Sequence, residues 1–344
     1  DANKLRFASE LSSLSKIIFE NEKYHYWLKP EDSYSSWLTS SKKEDSQWNR
    51  LVWILSKSMG AAGAEERRRK ELKDLGRSTT DNDVINSFFQ SVQSGGFMQK
   101  YLMVAQIAVI IDDVLYVHGA VDDKTIGYVP GIPTHFADAR EWVSQLNEWS
   151  ARQVFNFRHD RYENGKRPGE ELMDYGLPGG NGGKTVVYNN WLDNGNSKVI
   201  SKEVSSYLNI AGIRRVVTGH QPHGDVVNCI RETECKKDTI QVFSADTSYS
   251  DMEKDDNRGQ VYFSVSLHTD GRTFIRGVRS NGMSYYHMIS TENEIGDPYI
   301  GKQDKEGYWV KTILSSNKYL LVKGEGRKLH EKTVSADEIE FHFQ

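Results

Sequence analysis

The sequence predicts an α/β fold. Three observations carry this. Helical segments hand over to short apolar strands through glycine turns, as in SKEVSSYLNIAG followed by RRVVTG. The run LMVAQIAVIIDDVLYVHGAV is apolar on both sides of Asp112-Asp113, the pattern of a hairpin or of two adjacent buried strands. After residue 239 the period drops toward two, in TIQVFSADTS, GQVYFSVSLHTDG and RTFIRGVRS, with turn residues such as Asp270-Gly271 between them.

The elements follow in order. NKLRFASELSSLSKIIFE spaces Leu5, Leu11, Leu14 and Ile18 as on one helix face. QWNRLVWILSKSMG, AEERRRKELKDLG and NDVINSFFQSVQSG read as three more helices, the last ended by glycine. The RRRK run is the solvated face of its helix, given the acids around it. FADAREWVSQLNEWSARQVFNF is a long helix and KTVVYNNWL a strand. From about residue 284, GYWVKTIL, KYLLVKGEG and KTVSADEIEFHF read as short strands forming a small β-rich C-terminal tail. The expected division is a main domain over 1–283, with helical segments over 1–100 and a helical insert at about 124–185, and an accessory tail over 284–344.

The 344 residues suffice for a substantial core. Hydrophobic residues make up 37% and charged residues 27%, with a net charge of −4. That balance argues against a broad nucleic-acid interface, which needs a basic face. No stretch is long and apolar enough to span a bilayer. The two cysteines, Cys229 and Cys235, fit free thiols in a reducing intracellular compartment better than a disulfide framework; a hairpin disulfide is the alternative. PGGNGGKT resembles a phosphate-binding loop, but Pro178 stands where the first glycine is needed, and the segment follows a helix instead of a strand. It reads as a surface loop.

The chemistry concentrates at two strand ends. His118 in LYVHGA and His220 in VVTGHQPHG each follow an apolar strand and are flanked by glycine. In open α/β sheets ligands bind beyond the carboxyl ends of the strands, so neighbouring strands ending this way aim both imidazoles at one point. Neutral imidazole suits Zn, Fe or Mn, and glycine lets backbone approach an ion closely. His223 is a third ligand or a general acid near the leaving group; the plain alternative is a residue that shapes the turn. Asp246-Thr247 supports the site from behind or ends a strand. The aromatics of the insert, Trp142, Trp149, Phe155, Phe157, Tyr162 and Tyr175, are read as packing in preference to a substrate wall.

In these blocks, LYVHGAVD, VVTGHQPHGD and FSADTSYS followed by GQVYFSVSL, the chain resembles the calcineurin-like metallophosphoesterases over roughly residues 1 to 280. The resemblance implies a metallophosphatase-like β-sandwich of mixed sheets. It also implies two divalent metal ions (Mn, Fe or Zn) and hydrolysis of a phosphate ester by a metal-activated water. Two cations about 3.5–4 Å apart stabilise both the attacking and the leaving oxygens. His118 and His220 would ligate the second metal. The family often has G-H-x-H; here the spacing is G-H-x-x-H, which assigns His223 to catalysis at the substrate. The family's D-x-H and G-D-x-x-D motifs are not in this sequence, and Asp1 looks like the end of a G-N-R-D block. Lys4 and Arg6, just beyond it, are candidates to touch a substrate phosphate, with ordinary surface charge as the plain alternative. A completing N-terminal segment or partner chain is therefore expected. A catalytically inactive, phosphoesterase-like subunit of a larger complex is the alternative function.

Overall fold

The structure, a computed structural model, describes residues 33–59, 61–159, 161, 168–231, 239–247, 256–259, 261–292 and 295–344. Lys4, Arg6 and the helix expected around Leu5–Ile18 lie outside them. The chain divides into two compact units, 1–105 and 106–344. The division expected from the sequence put one boundary at 283/284 instead.

The first unit is helical. Helix α1 (Tyr34–Ser41) starts at Ser33 and α2 (Gln47–Trp53) at Ser46, each serine accepting a backbone N–H of the first turn. Helix α2 runs on into a π-turn at Ile54–Ser58. Helix α3 is Ala64–Asp74, and α4 (Asp81–Val92) opens with a reciprocal capping box between Thr80 and Asp83. Trp53, Leu55, Leu72, Val84 and Ile85 are buried. The RRRK run is locally neutralised: Arg68 pairs with Glu71, and Arg69 with Glu66 and Asp81. Leu102–Val104, expected to join the first strand, instead close helix α5 (Phe97–Val104).

The second unit holds a five-stranded mixed sheet and a six-stranded antiparallel sheet. The mixed sheet begins with the expected hairpin, β1 (Ala108–Ile111) and β2 (Val114–Val117), turned by Asp112 at φ +54°. After helices α6 (Ala139–Arg158) and α7 (Glu170–Tyr175) comes a small hairpin, β3 (Leu192–Asp193) and β4 (Asn196–Ser197). Helix α8 (Lys202–Ile210) leads to β5 (Arg215–Thr218), β6 (Asn228–Ile230) and β7 (Gln241–Ser244). The order across the sheet is β1-β2-β5-β7-β6, with β2, β5 and β7 mutually parallel.

One face of this sheet packs on helices. Leu115, Val216 and Val242 meet Trp142, Leu146, Trp149, Val204 and Leu208 in one apolar cluster. The other face packs on the second sheet. Phe243 and Cys229 share a cluster with Ile275, Tyr285, Ile289, Val310 and Leu320. The unit is therefore an α/β stack of helices, mixed sheet and antiparallel sheet. Three of the insert aromatics, Trp142, Trp149 and Tyr175, are core residues, as the packing reading expects. Phe155 and Phe157 are exposed; Tyr162 lies outside the described residues.

The antiparallel sheet runs β8 (Phe263–Leu267), β9 (Arg272–Val278), β10 (Ser284–Ser290), β11 (Trp309–Leu314), β12 (Lys318–Glu325) and β13 (Lys328–Ser335), each paired with the next. The segment from 284 is thus no appended tail. It supplies strands β10 to β13 and much of the core between the sheets, because β10 pairs along its whole length with β9. Strand β13, at one edge, carries Lys328, Glu331 and Lys332, charges that discourage further pairing.

One further reading changes. Thr185–Tyr188 forms no strand: Thr185 and Val186 are buried, but the segment turns. Its carbonyls and hydroxyl bond the surrounding loops, as where the Gly119 N–H donates to Val186 O. In PGGNGGKT, Asn181 and Gly182 take left-handed backbone, no helix follows, and the Lys184 ammonium sits 4.7 Å over the Tyr128 ring. That is a surface loop, as the misplaced Pro178 suggests. The turn of the β3–β4 hairpin lies against the turn between β12 and β13. The Gly326 N–H donates to Asn194 O at 2.7 Å and the Gly324 N–H to Asn196 Oδ1 at 3.1 Å. A Cβ on Gly195 would fall 2.0 Å from Gly326 O, so this contact requires glycine.

Candidate functional site

Strands β2 and β5 are parallel neighbours, with Val114 opposite Arg215 and Tyr116 opposite Val217. Their carboxyl ends therefore share one rim. His118 is the first residue past β2 and His220 the second past β5. The backbone holds these two ends together: the Gly219 N–H donates to His118 O at 2.9 Å, and the Thr218 hydroxyl donates to the carbonyls of His118 and Gly119.

Gly119 is demanded by the crowding here. A Cβ would lie 2.5 Å from the carbonyl oxygens of both Val187 and Asn189. His220 has φ +68°, a left-handed conformation that side-chain-bearing residues adopt at a cost on the order of 1 kcal/mol. Together these features bring the two rings together, with centroids 5.0 Å apart and planes inclined by 50°. The Tyr188 ring packs edge-on against His220 at 4.5 Å. Gln221, buried, fixes the turn: its amide donates to Asn189 O at 3.0 Å and accepts the Trp191 N–H at 2.6 Å.

His118 is exposed and His220 half-buried. Burial, then the neighbouring His118, push the His220 pKa down; the Asp246 carboxylate pulls it back up. The balance keeps that imidazole neutral near pH 7, the state that donates a lone pair to a cation. Imidazole nitrogens bind Zn at about 2.0–2.1 Å. His118 and His220 are the two donors of that type that the structure places side by side at this rim. Among the described residues no group of three or more His, Cys, Asp or Glu side chains is arranged to hold a metal.

His223 does not share this surface. It is 1% exposed, with the backbone of Gly195 beside its ring. Gly224, at φ +85°, and the bond from its N–H to Asn257 O turn the chain so that His223 points inward. Burial and the charge of Lys311 push its pKa well down. Lys311 is itself fully buried, which pushes its pKa well down; its amino group donates to Asn228 Oδ1, and Asn228 donates to Ser197 Oγ at 2.7 Å. That enclosure sets His223 apart from the exposed His118, whereas the catalytic role expected of it needs a ring open to substrate. Cys229 is a buried free thiol with its pKa pushed up to about 11 by burial; Cys235 lies outside the described residues.

Tyr188 and Gln221 were not anticipated. Tyr188 was hidden in T-V-V-Y, which reads as strand; Asn189-Asn190 immediately after it is a turn signal that argues for a loop. No described helix is long and apolar enough to cross a membrane. No family model matches the chain, and neither a curated protein nor a solved structure does.

Proposed function

We propose that the chain belongs to a metal-dependent phosphoesterase of the calcineurin-like kind and hydrolyses a phosphate ester. The fold in this reading is the metallophosphatase-like sandwich, and the bound cation sits between His118 and His220. One observation supports it above the rest: the two imidazoles, each past the end of a parallel strand and beside a glycine, lie ring to ring at 5.0 Å. When bound, two divalent ions (Mn, Fe or Zn) supply Lewis acidity and lower the pKa of a coordinated water. The chain's own part is to hold the two imidazoles in fixed orientation, with Tyr188 against His220 and backbone bonds fastening both strand ends. The remaining ligands come from a completing segment or partner chain. A reducing intracellular compartment, suggested by the low cysteine count, belongs to the same reading.

A second reading has its own support. Two imidazoles without a third ligand among the described residues fit a catalytically inactive subunit of a larger complex. Metal analysis and an aryl phosphate assay separate the two, run on the chain alone and on whatever chain co-purifies with it. About two equivalents of metal and hydrolysis lost in His118→Ala and His220→Ala support the enzyme. Metal binding without hydrolysis supports the subunit. No metal, and His118→Ala indistinguishable from the wild type, overturns both.

A further inference from the structure

Lys311 occupies a bulge in β11. Val310 pairs with Leu321 and Thr312 with Leu320, so Lys311 is the extra residue, left out of the ladder. A bulge re-aims the side chain it carries. Here the amino group, fully buried, donates to Asn228 Oδ1 at 2.5 Å. Asn228 is 1% exposed, stands on β6 opposite Ser244, and donates its own amide N–H to Ser197 Oγ at 2.7 Å. Trp309, two residues before Lys311, donates its indole N–H to Ser197 O at 3.1 Å. Strands β4, β6 and β11 thus hold the amine and the amide in place against each other.

Among the described residues no carboxylate forms an ion pair with Lys311. Glu331, whose field reaches it, is bonded instead to Arg279 at 2.6 Å. A buried ammonium without a counter-ion is costly, so burial favours the neutral amine. A desolvated neutral amine is a nucleophile. The carbon it faces is close: given the contact to Oδ1 and the C=O bond length, Nζ is no more than about 3.7 Å from Asn228 Cγ. Reacting atoms about 3–3.5 Å apart are poised for attack.

We propose that Lys311 and Asn228 form an intramolecular isopeptide bond, which joins β11 to β6 and so ties the antiparallel sheet covalently to the mixed sheet. The Nζ lone pair attacks Cγ, and negative charge develops on Oδ1, where an Nζ–H already donates. Collapse breaks the Cγ–Nδ2 bond. One proton passes from Nζ to Nδ2, which lies beside the Ser197 hydroxyl, and Nδ2 leaves as ammonia. One C–N bond forms and one breaks, so no oxidant or cofactor is consumed. The product places a neutral amide where an ionisable amine was buried, which relieves the cost of burying it. The bond is independent of the cation reading of His118 and His220.

The test is the intact mass of the full chain, reduced and denatured, together with a tryptic map. The wild type is expected at the mass of its sequence less a single ammonia. The peptide carrying Asn228 is expected joined to the peptide carrying Lys311 by a link that survives reductant. Lys311→Met and Asn228→Ala are each expected at the full mass of their own sequence, with the two peptides separate. A wild-type mass equal to the sequence, with both peptides recovered unlinked, overturns the proposal however the variants fold. So does an ammonia loss that persists in Lys311→Met or maps elsewhere, as to a succinimide at Asn181-Gly182, Asn194-Gly195 or Asn281-Gly282.

Discussion

The Arg215 guanidinium closes fork-on-fork onto the Asp113 carboxylate, Nε donating to Oδ2 at 3.0 Å and Nη2 to Oδ1. Asp113 precedes β2 and Arg215 begins β5, so the pair locks the starts of the two strands whose far ends carry His118 and His220. Arg215 is 1% exposed and also donates to His268 O at 2.9 Å, at the turn between β8 and β9. Removing one partner of such a pair strands a buried charge. Asp113→Ala is expected to cost roughly 3 kcal/mol in denaturant unfolding. It is also expected to weaken cation binding, because the strand register relaxes.

The two glycines beside the histidines are expected to respond differently. A Cβ on Gly119 meets backbone oxygens at 2.5 Å, whereas on Gly219 the nearest atom is His118 O at 3.7 Å, an ordinary contact. Gly119→Ala is therefore expected to destabilise by about 1–3 kcal/mol or more through overpacking. Gly219→Ala is expected to stay within about 0.5 kcal/mol of the wild type. Thermal melts of the two variants side by side check this, and equal melting temperatures refute the crowding argument.

The left-handed backbone of His220 predicts an unusual ranking. Glycine tolerates φ +68° and alanine does not, so His220→Gly is expected to be more stable than His220→Ala by about 1 kcal/mol. At an ordinary helix or strand position the order is reversed. Both variants lose the imidazole, so under the proposed cation reading both are expected to lose Zn2+ binding in calorimetric titration.

Acid stability follows from His287. It is 4% exposed, its Nδ1 lies 2.8 Å from Thr312 Oγ1, and burial holds its pKa down at about 4. The unfolded chain binds this proton near pH 6.5 and the folded chain near 4, so the unfolded state carries more protons between those values. Stability contributed by the neutral ring is present above pH 6.5 and falls as pH drops toward 4, by roughly 3 kcal/mol in all. Buried His223 adds a loss of the same sign. Unfolding free energies at pH 7 and pH 4.5 are expected to differ less in His287→Gln than in the wild type; equal slopes contradict the assignment.

The hairpin at Asp112-Asp113, helices α2, α3, α4, α6 and α8 and the strand-end positions of His118 and His220 were legible, because local propensity and tertiary structure agree there. Strand β10 was not read. Its inward positions are Tyr285, His287 and Ile289, and a histidine in the middle of the buried face breaks the apolar alternation. Thr185–Tyr188 has strand composition but loop structure, because its polar backbone groups are satisfied by the neighbouring loops instead of by a ladder. The burial of His223 depends on the conformation of Gly224 and on Lys311, which lies 88 residues further on; no local pattern encodes that. The side-by-side placing of β2, β5 and β7 is likewise a matter of topology, and it decides which loop residues meet.

The close approach of Gly195 to Gly326 has a consequence for biosynthesis. Asn196 acquires its bond from Gly324 only after 128 more residues have been translated. At about 5–20 residues per second that is on the order of ten seconds. Through that interval the stretch from Tyr188 to Ser197 leaves the ribosome without its anchor. The β3–β4 hairpin, close in sequence to the Tyr188 ring that packs on His220, is consequently fastened only once β12 and β13 have been made.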